Sequence, residues 1–589
     1  MNNTTKSLIK ILIVLLISGS MFFIPFEELG VPINPIQTRV IALFVLAALM
    51  WILEPIPIWT TSVLVITLSL LCISNQSLSF LKPERYDKAA VYAIIDDVFA
   101  PDADARAVEQ LKKDVKARLD KKPNLTPDEV RMTLGYQIMN VSEKASLKVK
   151  ELARTAQEAG QTPQQTEAIL RQENLQKHFS DAAARLYSPE VAQKIKELRI
   201  INVMQQKSTM ATFADPIIIL FLGGFFLAAA ATKYRLDINL AKVLLKPFGT
   251  NPRFVMLGLM VVTALFSMFM SNTATAAMML AILTPVLALF KPTDRGRAAF
   301  ALCIPVAANI GGIGTPIGTP PNAIALKAMQ DMGLSISFGK WMLFGVPFVI
   351  VMLLLGWLIL IKMFPIDQKE LKLEVGGKFL KTPKAIIVYV TFAITVALWV
   401  MGKEVHGLDS NTIAIIPIAI FSVTQVITRD DLKAMSWDVL WLVAGGFALG
   451  LALQDTSLAK DMINAIPFAE WNSVMLMIGA GCICLFMATF MSHTATASLL
   501  MPILGAVAGS MVAAGSMDSP GAIGLLCAIA FASSLGMALP ISTPPNALAY
   551  ATGLVESRGM AISGTILCLV GLALTFGMMY LLISMGFFA

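Results

Sequence analysis

The chain has 589 residues, of which 56% are apolar and 14% charged, with a mean hydropathy of +0.70 and a formal net charge of +7. A soluble domain of ordinary composition carries about 25% charged residues, so a single water-soluble globule is excluded and many membrane spans with short loops are implied. The positive balance reflects loop topology rather than a nucleic-acid partner, and the six cysteines lie in or beside apolar runs, which argues for packing and against a disulfide framework.

The first apolar run, Ile9 to Phe26, follows Lys6 and Lys10 and leads into Glu27-Glu28 without a small-residue cleavage site, so it reads as a retained span rather than a signal peptide. Segments of the roughly 17–25 residues needed to cross a bilayer fall near 9–26, 38–55 and 57–74. They resume near 215–232, 254–290, 298–326, 341–363, 385–402, 411–428, 437–455, 473–513, 520–553 and 560–587. Segments 254–290 and 473–513 are about twice the length of one span, and each has a Ser-x-Thr tripeptide at its centre. Each therefore predicts a re-entrant helical hairpin with irregular backbone at its tip.

Lysine and arginine placement supports this topology. With the N-terminus inside and both hairpins re-entrant, the inner loops carry Lys233, Arg235, Lys242, Lys246, Arg253, Lys291, Arg295, Arg297, Lys362, Lys369, Lys372, Lys378, Lys381, Lys384, Arg429, Lys433 and Arg558. The short outer loops carry only Arg39, Lys327, Lys340, Lys403 and Lys460. The positive-inside bias then gives about eleven transmembrane helices plus two hairpins in a multi-pass protein of the cytoplasmic (inner) membrane.

The polar stretch 82–206 is mixed in charge and breaks the pattern. Thr126-Pro127, Thr162-Pro163 and Ser188-Pro189 each read as an N-cap followed by a first-turn proline, and Val108, Leu111, Val115 and Leu119 form one apolar helical stripe. Four to six short helices are expected here, in an extramembrane insert on the outer face. The division is then 1–81 for the first scaffold spans, 82–206 for the insert, 207–364 for the remainder of the first repeat, and 365–589 for the second.

The repeat is written in three matches of constant order. Gly223-Gly224 recurs as Gly445-Gly446, Met270 to Ala276 recurs as Met491 to Ala497 with one change, and Thr319-Pro320-Pro321-Asn322-Ala323 recurs unchanged from Thr543 to Ala547. The offsets are 222, 221 and 224. In the topology above, the first hairpin opens from inside and the second from outside, so the halves are inverted, an arrangement common among secondary transporters.

A small anion at the membrane midplane loses hydration at a cost of several kcal/mol unless something replaces it. Each Thr-Pro-Pro-Asn element supplies a replacement: prolines break the helix, freeing backbone N–H and C=O groups that Asn322 and Asn546 tie together. The tips add the oxygens of Ser271, Asn272 and Thr273, then of Ser492 and Thr494, which are hard ligands suited to sodium.

The paired tips and paired Thr-Pro-Pro-Asn breaks resemble the divalent anion/sodium symporter family, including the INDY-type dicarboxylate transporters, over nearly the whole chain except the insert. The resemblance implies an all-α inverted-repeat fold, a homodimer working by an elevator mechanism, and C4-dicarboxylate (succinate, malate, fumarate) or citrate as cargo with Na+ as coupling ion. It implies substrate contacts from Asn272, Thr273, Thr319, Pro320, Thr494, Thr543 and Pro544, and His493 stands as an eighth candidate on its own reading below. It assigns a first sodium site to Ser267, Ser271, Asn272 and Gly318, and a second to Ala488, Met491, His493 and Ser542.

His493 departs from the family pattern, which repeats asparagine there. Two readings stand. One is a neutral imidazole that replaces asparagine sterically; the other is a protonated one that meets a substrate carboxylate or replaces a sodium charge. The second leads to a sodium-independent exchanger or a proton-coupled carrier, and a sulfate or other oxyanion carrier is a further alternative. An intramembrane enzyme is disfavoured, because the chain has no His-Glu-x-x-His motif and no pair of membrane aspartates placed for catalysis.

Overall fold

The computed structural model describes residues 3–26, 33–122, 125–159, 162–198, 200–287, 290–291, 293–371, 378–458, 461 and 472–588. Glu27, Glu28, Lys372 and Lys460 lie outside the described residues. The fold is all-α; among the described residues extended pairing is confined to isolated bridges, Ser74 with Met204 and Tyr86 with Ile200.

The chain opens with α1 (Asn3–Ser20), α2 (Pro35–Leu53) and α3 (Ile58–Cys72). The polar stretch forms α4 (Lys88–Val98), α5 (Ala105–Leu119), α6 (Pro127–Ala159), α7 (Pro163–Arg185) and α8 (Pro189–Lys196). Then come α9 (Pro216–Lys233), α10 (Leu236–Leu245), α11 (Pro252–Ser267), α12 (Asn272–Leu287), α13 (Gly296–Gly311), α14 (Pro320–Asp331) and α15 (Phe338–Met363). The second half is α16 (Pro383–Met401), α17 (Ser410–Val423), α18 (Trp437–Asp455), α19 (Ser473–Phe490), α20 (His493–Ala513), α21 (Ser519–Ser534), α22 (Pro544–Ala551) and α23 (Ser557–Ser584).

Helix starts follow local chemistry. Asn34, Asn251 and Thr382 each accept a backbone N–H through the side chain, and the proline that follows has no N–H to lose. Among the described residues, ten helices are long and apolar enough to cross a membrane. This differs from the expected eleven spans because length admits both arms of the second hairpin, α19 and α20, and leaves out the shorter α3, α17 and α21.

The two halves pack alike and exchange partners. Within each, the first hairpin arm packs on the helix that will break: α11 on α13, and α19 on α21. Across the halves, α9 packs on α17 while α18 packs on α3, and α14 packs on α20 while α12 packs on α22. Glycines permit the closest of these approaches: a Cβ on Gly223 would lie 2.5 Å from the Ala414 carbonyl oxygen, and one on Gly445 would overlap Ser62. The helices before the breaks are the most enclosed, with every residue from Gly521 to Ser534 buried in α21, whereas α1 is largely uncovered.

The helices α4–α8 close on a core of their own, in which Val108, Leu111, Val115 and Leu119 are all buried and Phe99 meets Phe179 edge-on at 4.7 Å. Thr126, Thr162 and Ser188 cap α6, α7 and α8. Two of these helices are not short: α6 runs 33 residues and α7 runs 23, because they pack along each other as an antiparallel pair. The ends of the unit are tied together, Ile201 N–H donating to Arg85 O at 2.7 Å and Asn75 N–H to Met204 O at 2.9 Å. Lys327, counted above as a loop cation, lies within α14; its ammonium pairs with Asp331 and sits 3.7 Å from Asp215, so it is neutralised rather than free to direct topology.

Candidate functional site

Both breaks are built the same way. After Gly311, α13 tightens into a single 3-10 turn at Gly312–Gly314 and runs irregularly to Thr319, where Pro320 and Pro321, lacking N–H groups, begin α14. The Asn322 side-chain amide donates to the stranded carbonyls of Gly312 at 3.1 Å and Thr315 at 2.8 Å, and lies 3.4 Å from that of Ile313. In the second half, Asn546 donates to Met537 O at 2.8 Å and Leu539 O at 3.0 Å. Met537 and Leu539 stand 224 residues beyond Ile313 and Thr315, so both asparagines hold the Thr315/Leu539 carbonyl, while Asn322 is nearer Gly312 and Asn546 takes the counterpart of Ile313.

The hairpin tips face these breaks. Ser271 Oγ accepts the Ala274 N–H and caps α12, and Ser492 Oγ accepts the Ala495 N–H and caps α20, both at 3.2 Å. Between tips and breaks lies a cavity of about 550 Å³. Asn272, Thr273, Thr319, Pro320, His493, Thr494, Thr543 and Pro544, the eight expected substrate contacts, all line it, as do Ser271, Gly318 and Ser542. Ser267, Ala488 and Met491 are not among the lining residues and are buried behind it. Four helix N-termini, those of α12, α14, α20 and α22, therefore meet at one cavity. No lysine or arginine is among the described lining residues, and Asp438 is their one carboxylate.

The two expected ion sites differ. In the first, Ser267 Oγ lies 2.7 Å from both Asn272 Oδ1 and Ala308 O, three oxygens sharing one hydroxyl proton. Asn272 also fills the space beside Gly312, where a Cβ would lie 2.7 Å from Oδ1. In the second, His493 Nε2 lies 2.7 Å from Gly536 O, and because a carbonyl only accepts, Nε2 carries the proton. Ser542 Oγ donates to Thr489 O at 2.6 Å and accepts the Leu539 N–H at 3.1 Å.

Several lining residues escaped the sequence reading: Pro57, Ile58 and Trp59 ahead of and within α3, Phe221 and Phe225 on α9, and Asn309, Ser436 and Asp438. Asn309 had a legible signal, a lone amide in the apolar run Val306-Ala307-Ala308-Asn309-Ile310 three residues before the break. The aromatic residues had none, since an apolar side chain facing a cavity reads like one facing lipid.

The citrate transporter family model matches residues 191–520, more than half of the chain. The chain belongs to this family of membrane transporters. A protein of Haemophilus influenzae named as an uncharacterized transporter is 31% identical over 389 residues, covering 63% of this transporter and 82% of the relative. The sodium-dependent dicarboxylate transporter SdcS of Staphylococcus saprophyticus is 30% identical over 405 residues, covering 62% and 76%. The sodium-dependent high-affinity dicarboxylate transporter 3 of Caenorhabditis elegans is 29% identical over 437 residues, covering 64% and 76%. The transporter is thus a multi-pass membrane protein that moves a solute rather than an enzyme.

Proposed function

We propose that this transporter carries a C4-dicarboxylate such as succinate, malate or fumarate, or a related di- or tricarboxylate, across the cytoplasmic membrane, coupled to sodium. The observation that carries the reading is the meeting of four helix N-termini at a cavity without a cationic side chain among its described lining residues. Each N-terminus offers roughly half an elementary charge, so four approach the charge of a dicarboxylate without reaching it, since Ser271, Ser492 and Thr543 already cap three of them. A co-bound cation supplies the remainder, and the oxygens of Ser267, Asn272 and Ala308, with Ser271 next to Asn272 in sequence and Gly318 O on the same side of Gly312 as Asn272 Oδ1, are hard donors suited to it. Cation and anion then raise each other's affinity, which is the thermodynamic content of coupling. The cavity is of the size usual for small-molecule sites, and two relatives are named for sodium and dicarboxylate.

In this reading the eight substrate residues named from the sequence contact the anion, the exchanged packing of the two halves is an inverted repeat, and the α4–α8 unit lies outside. The elevator movement and the homodimer rest on the family resemblance; cysteine cross-linking between copies in membranes checks the dimer. The main test is radiolabelled succinate uptake into proteoliposomes with and without an inward sodium gradient. Sodium-driven uptake is expected. Uptake that ignores sodium but follows internal succinate or pH would establish an exchanger or proton-coupled carrier, and sulfate uptake in place of succinate would establish an oxyanion carrier.

A further inference from the structure

The second half reproduces the geometry of the first but not its oxygens. At the offset of 221, Ser267 is replaced by Ala488 and Asn272 by His493, so two of the three oxygens gathered in the first half have no counterpart. The Gly536 carbonyl, counterpart of that of Gly312, already accepts the His493 Nε2–H at 2.7 Å. Ser542 donates to Thr489 O and accepts from Leu539, which takes up one of its two lone pairs, whereas Ser267 donates only and accepts no N–H among the described bonds. The broken helix also lies directly against the hairpin arm: a Cβ on Gly536 would lie 2.5 Å from the Ala488 carbonyl carbon. His493 is itself 7% exposed.

We propose that the chain binds a single sodium ion per protomer, at the first-half cluster of Ser267, Asn272 and Ala308, and that the His493 N–H occupies the place of a second. This rests on the sodium-coupled reading above and sets its stoichiometry. A ring N–H bonded to Gly536 O does locally what a cation would do, placing positive charge against the freed carbonyl and holding tip to break. It does so permanently, so this half needs no ion to assemble its side of the cavity. A hard cation brought there would meet a donor hydrogen instead of an oxygen, which it cannot use as a ligand.

The test is a count of radiosodium bound by the purified protein, beside the sodium dependence of succinate uptake. One ion per chain, bound on the order of tenfold more weakly in Ser267→Ala, and a sodium Hill coefficient near one are expected. The double variant His493→Asn with Ala488→Ser restores the first-half residues and is expected to raise the count to two. Two ions on the unmodified chain would overturn this inference while sustaining sodium coupling, whereas no bound sodium would overturn both. A folded double variant that still binds one ion would overturn the role given to His493. If that variant does not fold, the count and Hill coefficient of the unmodified chain decide alone.

Discussion

Asn309 Nδ2 donates to Asn546 Oδ1 at 3.1 Å, joining the broken helix of one half to that of the other. The bond has a fixed sense. Asn546 gives its own amide hydrogens to Met537 O and Leu539 O, so its oxygen faces Asn309 and the Asn309 amide group must face back. The same Asn309 Nδ2 reaches Thr543 Oγ1 at 3.2 Å, and the Asn546 backbone N–H reaches that oxygen at 3.3 Å. Both lone pairs of the Thr543 hydroxyl are thereby engaged, leaving its proton to donate into the cavity.

Thr543 is therefore a pre-oriented donor, whereas Thr319 at the equivalent position makes no side-chain cap. A hydrogen bond to a charged group is worth about 1.5–3 kcal/mol, so Thr543→Val should weaken succinate affinity roughly ten- to hundredfold. Thr319→Val should weaken it less, and Thr543→Ser should retain most of it. Equal losses at the two threonines in competition uptake assays would refute the asymmetry.

Asn309→Asp replaces an amide donor by a carboxylate facing Asn546 Oδ1 and Thr543 Oγ1. Buried there without its partner bonds, the change should cost several kcal/mol, and uptake should fall even though Asn309 was not read as a contact from the sequence. Surface expression with unimpaired succinate KM would count against a role for the Asn309 bonds to Asn546 and Thr543.

At the ion cluster, Ser267→Ala removes one of three oxygens. Half-maximal sodium activation of uptake should shift upward on the order of tenfold, with a smaller change in maximal rate at saturating sodium. An unchanged sodium curve would place the coupling ion elsewhere.

Gly223→Ala forces a methyl against the Ala414 carbonyl, and overpacking of this kind costs about 1–3 kcal/mol. The detergent-purified variant should melt several degrees lower. Gly479→Ala, where a Cβ meets nothing within 4 Å, should not destabilise and should gain helix propensity.

The α4–α8 unit has its own core, and its entry and exit are bonded at Arg85 and Ile201. Replacing the residues between them by a short Gly-Ser linker should leave a folded protein whose succinate uptake stays within about threefold, because short surface closures of adjacent ends are well tolerated. Loss of uptake with normal expression would assign the unit a part in transport.

By itself the sequence determined what repeats and composition can encode. These are the apolar spans, the three duplicated elements, the capped helices of the 82–206 stretch, and the tips and breaks, whose eight expected substrate residues line one cavity. Such features are local, since proline, glycine and capping residues act within a turn of where they stand. Tertiary structure alone decided which oxygens remain free. The engagement of Gly536 O by His493, the direction of the Asn309 amide, and the capture of Lys327 between Asp215 and Asp331 depend on partners 43, 237 and 112 residues away. Hydrogen-bond donors and acceptors are spent pairwise in space, and no spacing along the chain records which ones are left over.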